Sequence, residues 1–75
     1  MNTISYTQIR NNVKLYLGMR REGTRLAVQN LKENVRIQPD RLDEILSNRS
    51  QPTFEEAWEI SSYLEVPVQD LYHLV

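Results

Sequence analysis

Apolar residues along this chain recur at three- and four-residue intervals, and no stretch alternates long enough to compete as a strand, so the pattern predicts five helical segments. Ser5 and Gln8 form an S-x-x-Q capping box, with Ile4 before the cap and Ile9 inside it as a hydrophobic staple. The first helix is expected to start there and to present Ile9, Val13, Tyr16 and Leu17 on one face. Arg20 and Arg21 favour an end just before Gly23. Gly18 allows an earlier stop near Leu17, because a mid-helix glycine costs about 1 kcal/mol relative to alanine.

Thr24 is the expected cap of the second helix, which runs through Leu26, Ala27, Leu31 and Val35 and ends near Asn34 or Val35. Pro39 sits at the first turn of the third helix, where its missing N–H is harmless, and Asp40 complements the positive end of the helix dipole. That helix buries Leu42, Ile45 and Leu46. Thr53 and Glu56 make a second capping box for the fourth helix, whose expected inner face is Phe54, Ala57, Trp58, Ile60, Ser61 and Leu64. Pro67 opens a short fifth helix with Val68, Leu71 and Tyr72, followed by Leu74 and Val75. Neither an internal repeat nor a linker divides the chain, so residues 1–75 read as a single domain.

At 75 residues, burial alone gives marginal stability, which makes a homodimer an expectation. The absence of cysteine excludes disulfides and thiolate metal sites and suits a reducing cytoplasm. MNTISYTQIRNN lacks the features of a signal peptide, and no apolar run approaches the ~20 residues of a membrane span, so a soluble cytoplasmic protein is expected. The net charge of −1 hides an asymmetry: residues 1–50 carry nine cations and five acids, and residues 51–75 carry five acids and no cation. Such polarity suits a molecule with one face toward an anion.

The stretch RIQPDRLDEIL at residues 36–46, together with its surroundings, carries a resemblance. Residues 26–72 resemble the Cro/CI-type (XRE-like) helix-turn-helix family of phage repressors, small bacterial regulators and antitoxins. Leu31, Val35, Ile37, Leu42 and Ile45 fill the five apolar places of that family's two-helix unit, which spans about 25–47 here. RLDEILSNRSQPTFEEAWEISSYLEVPVQDLY is similar to the family's third helix, its loop ending in Pro-Thr, its fourth helix and its Val-x-x-x-x-Leu fifth helix. The resemblance implies an all-α, compact, five-helix lambda-repressor-like domain that binds operator DNA as a homodimer, with the third helix in the major groove. There are departures. Lys32 stands where the family prefers alanine, Arg36 where a glycine with positive φ is favoured, and Glu65 at another glycine place. Either the turn is remodelled, or the second helix is shifted so that Leu26 and Ala27 do the close packing.

Carried over by position, the outward places of the third helix hold Gln38, Pro39, Asp40, Asp43 and Glu44. Gln38 suits adenine, and a carboxylate such as Asp40 or Glu44 can accept from the cytosine amino group. With Arg41 these form the expected base-reading set. Arg25, Lys32, Arg36 and Arg49, with Asn48 and Ser50 as neutral donors, are the expected phosphate contacts. Five cations stand here against Glu33, Asp40, Asp43 and Glu44, so adequate affinity requires two copies on the duplex. The plainer structural reading is that Asp40 serves the helix dipole and that Arg36 and Arg41 neutralise nearby acids.

A rival function explains the acids directly: a protein-interaction module of the same fold, an accessory factor or anti-repressor, whose acidic third helix docks on a basic regulatory partner. Enzymatic chemistry is not expected, since the lone His73 has no nucleophile or ligand cluster near it and Gly18 and Gly23 form no phosphate-cradling loop. No metal or other cofactor is implied. The aromatics Tyr6, Tyr16, Phe54, Trp58, Tyr63 and Tyr72 are expected in the core or at an interface. Val68, Leu71, Tyr72, Leu74 and Val75 form the expected dimer surface, the other possibility being a tail folded back over the first helix.

Overall fold

Local chemistry near each helix start decides most of the architecture. The computed structural model describes residues 9–74, which form β1 (Ile9–Asn11), α1 (Val13–Gly18), α2 (Thr24–Asn34), α3 (Pro39–Leu46), α4 (Phe54–Leu64), a 3-10 turn (Val68–Leu71) and β2 (Tyr72–Leu74). Pro39 is the first residue of α3, and Gln38 before it is extended (φ −60°, ψ 142°), as a residue preceding proline prefers. The Thr53 hydroxyl accepts from the Glu56 N–H at 3.2 Å while the Glu56 carboxylate accepts from the Thr53 N–H at 2.8 Å, so the capping box of α4 is complete. At α2 the cap is Gly23 at φ 88°, a conformation open to glycine, and Thr24 is the first helical residue instead of the cap.

The expectation of an all-α, five-helix domain is corrected at both ends of the chain. Ile9–Asn11 is a strand, and α1 begins only at Val13, where the Asn11 side-chain oxygen accepts from the Val13 N–H at 3.1 Å. The expected cap at Ser5 and Gln8 lies outside the described residues, as does Val75. After Pro67 the expected fifth helix is a single 3-10 turn, and the chain then pairs antiparallel with β1 in the register Ile9 with Leu74, Arg10 with His73 and Asn11 with Tyr72. Pairing satisfies backbone groups that a frayed helix end would leave to water. The Asn12 N–H donates to the Leu71 carbonyl at 2.6 Å and extends the joint.

One core unites the helices. Val13 and Leu17 of α1, Ala27 and Leu31 of α2, Leu42 and Ile45 of α3, Ile60 of α4, and Leu71 are essentially buried, with Val35 and Ile37 of the intervening turn closing one side. All five apolar places of the two-helix unit are therefore inside. The turn contains no left-handed residue: among the described residues only Asn48 and Glu65 are non-glycine residues with positive φ. Arg36 thus escapes the strain expected of it, because extended residues lead out of α2 at Val35 (φ −115°, ψ 157°) and into α3 at Gln38. The turn is remodelled; Ala27 packs closely, but Leu26 is 47% exposed and does not join it. A side chain at Gly18 would place its Cβ 3.3 Å from the Thr24 hydroxyl, so this late helical glycine serves the approach of α1 to the start of α2.

Two expected core residues lie outside. Phe54 is 71% and Trp58 59% exposed, so α4 buries only the stripe through Ala57, Ile60, Ser61 and Leu64.

Candidate functional site

With Leu42, Ile45 and Leu46 turned into the core, the opposite edge of α3 presents Gln38, Pro39, Asp40, Asp43 and Glu44, all exposed. Three of the expected phosphate-binding cations are exposed. Arg36 lies in the turn before the helix, Arg49 in the loop after it, and Arg25 near the start of α2. None of the three forms an ion pair among the described residues. The Arg36 backbone N–H donates to the Glu59 carboxylate, which fixes the turn against α4 and leaves the guanidinium outside that bond. The Arg49 guanidinium donates to the Ser47 hydroxyl at 3.0 Å.

The other expected contacts are occupied within the protein. The Arg41 guanidinium runs under α4: Nε donates to both Glu56 carboxylate oxygens at 3.0 and 3.3 Å, and Nη2 to the same carboxylate at 2.9 Å and to the Gln51 carbonyl at 2.9 Å. Its Nη1 donates to the Ser50 hydroxyl at 2.6 Å. A weaker contact reaches Glu44 at 3.7 Å. This hydrogen bonding holds the Glu56 carboxyl below the usual carboxylate range, and the Arg41 guanidinium correspondingly above its ordinary value. Lys32 is paired with Asp43 at 2.7 Å. Arg41 and Ser50 therefore join α3 to the start of α4, and Lys32 joins α2 to α3.

Asn48 is likewise engaged. It follows the last turn of α3 in the left-handed conformation (φ 62°), a place that accepts asparagine after glycine. Its side-chain oxygen accepts from the Asn11 N–H at 2.8 Å and from the Gln51 amide at 3.0 Å, and its amide donates to the Asn11 carbonyl at 3.3 Å. Asn11 itself, buried at 4% exposure, donates to the Ile45 carbonyl at 2.8 Å and to the Gln51 side chain at 3.0 Å. The N-terminal strand thus clamps the end of α3. The sequence signal for it is the Asn-Asn pair ahead of Val13, two strong helix-capping residues that the Ser5 capping box overshadows.

The expected dimer surface divides in the same way. Leu71 is fully buried and Val68 and Tyr72 half-buried, whereas Leu74 is 65% exposed. The tail returns over the start of α1, where Asp70 accepts through its carbonyl from the Asn12 amide at 3.1 Å and from the Tyr16 hydroxyl at 3.4 Å. His73 is exposed, and the described residues hold no cluster of three or more metal-ligating side chains. No described helix is long and apolar enough to cross a membrane. No family model, curated protein or solved structure matches the chain.

Proposed function

We propose that the protein is a sequence-specific DNA-binding transcriptional regulator of repressor-like type that sets α3 in the major groove and works with two copies on the duplex. The observation that carries this reading is the face of α3: its apolar stripe is buried, its outward residues are exposed, and Arg36 and Arg49 bracket it without ion-pair partners among the described residues. Gln38, at the front of the helix, reads adenine through its paired donor and acceptor. Asp40 and Glu44 accept from cytosine amino groups, while Arg25, Arg36 and Arg49 hold phosphates. Arg41 and Lys32 act by positioning, since their charges are spent on Glu56 and Asp43.

That division sharpens the need for a second copy. Three available cations per copy face Glu33, Asp40 and Glu44, so a lone domain has no electrostatic surplus. Two copies releasing about six counterions give a slope of log affinity against log salt near −5, a loss of roughly 10³ between low and physiological salt. Fluorescence anisotropy with the duplex upstream of the protein's own gene measures it. The same tally favours a second reading, a protein-interaction module whose acidic α3 docks on a basic partner. It requires duplex binding to be negligible at physiological salt, so one titration separates the two.

A further inference from the structure

Phe54 and Trp58 stand one turn apart on α4 with ring centroids 6.1 Å apart, exposed side by side as an aromatic ledge. Beside Trp58 lies a shallow cleft of about 370 Å³ rimmed by Ser62, Glu65, Pro67 and Gln69. Two acids stand close by: Glu55, which adjoins Phe54 in the chain and lines a neighbouring hollow with Arg36 and Arg41, and Glu65 at the cleft, whose wall holds no Lys or Arg. A contiguous exposed apolar patch with a polar rim is the signature of an interaction surface.

A second patch has the opposite charge. Leu15 and Met19 are 63% and 71% exposed, and they border a depression of about 630 Å³ also lined by Lys14, Gly18 and Thr24, with no acidic residue in its wall. Lys14 adjoins Leu15 in the chain, Arg21 follows Met19 by two residues, and both cations are exposed. The nearby Glu22 is already paired with Arg20 at 3.2 Å. The depression and the cleft beside Trp58 share no residue.

We propose that the Phe54–Trp58 ledge of one copy receives the Leu15–Met19 patch of another, so that copies of this chain associate head to tail. Charge selects this pairing. A two-fold contact of ledge with ledge sets Glu55 and Glu65 against their own duplicates, and patch with patch opposes Lys14 and Arg21 to theirs. The crossed pairing alone combines apolar contact with opposite charge. Each added copy leaves one ledge and one patch open, so growth continues until a ring closes or protein runs out. This contact stands apart from the DNA-binding reading, and its test uses no DNA.

Trp58 is the sole tryptophan, so its emission reports directly on the ledge. Emission and sedimentation are followed together from micromolar to millimolar protein. The expected result is a blue shift that tracks a mass rising past that of a dimer, with both weakened by high salt. The Leu15→Glu/Met19→Glu variant lowers self-association about tenfold or more, as does Phe54→Ser, while circular dichroism stays unchanged. Mixing these two variants restores a single contact and gives dimers that grow no further. A mass that stays monomeric throughout overturns the proposal, as does a tryptophan already blue-shifted at the lowest concentration. Undiminished self-association of the Leu15→Glu/Met19→Glu variant overturns it too, since that outcome means ledge meets ledge or another surface.

Discussion

Replacing Arg41 by methionine keeps most of the side-chain length and removes the charge that ties α3 to α4. The arginine is 26% and Glu56 19% exposed, so the pair lies between a surface ion pair, worth about 0–1 kcal/mol, and a buried one, whose disruption costs about 3–5 kcal/mol. Three charge-assisted bonds to one carboxylate, with further bonds to Ser50 and Gln51, place Arg41→Met near 2 kcal/mol of lost stability. For a domain of this size that lowers the Tm by roughly 8–16 °C. Urea unfolding of Arg41→Met, Glu56→Gln and the double variant completes a cycle, with an expected coupling of about 1–2 kcal/mol. Glu56 also gives a pH signature. Its folded pKa is depressed, so its contribution is complete above the unfolded value of about 4.3 and fades as pH falls through the folded one. The stability gap between wild type and Glu56→Gln should therefore close below about pH 4. Coupling under about 0.3 kcal/mol, or a gap indifferent to acid, would refute the clamp and return Arg41 to the surface cations.

Other consequences are equally measurable. Asn11→Ala removes the buried donor to the Ile45 carbonyl and the acceptor for Val13, and should cost about 2–3 kcal/mol in chemical denaturation; a loss below about 0.5 kcal/mol would mean the network is idle. Glu65 ends α4 in the left-handed conformation (φ 60°), so Glu65→Gly should raise stability by about 0.5–1 kcal/mol, and a lower Tm would contradict the strain argument. Gln38→Ala should leave the Tm within about 1 °C while relaxing base preference at one operator position by about 1–3 kcal/mol; unaltered selectivity across a set of point-substituted duplexes would remove it from the reading set.

Features governed by near neighbours were legible in the chain itself. Pro39, the Thr53–Glu56 box and the apolar spacing from Leu31 to Ile45 each act over a few residues, and each sits as its chemistry requires. The misplaced features depend on distant partners. On α4 two apolar stripes are possible, one through Phe54 and Trp58 and one through Ala57, Ile60 and Leu64, and only the packing of the other elements decides which is buried. Arg41 has carboxylates on both sides within α3, yet it chooses Glu56, fifteen residues away, because that side chain is already fixed by the capping box. The strand pair joins segments far apart in the chain, and three-residue strands leave almost no periodic trace.

Because Ile9 faces Leu74 across that strand pair, the path of the described residues is nearly a closed loop. A short covalent bridge between the two would turn the pair into a hairpin and spare the unfolded chain the entropy of bringing remote ends together. New ends could then be opened elsewhere, and the order in which the helices are read from the gene would cease to matter to the way they stack.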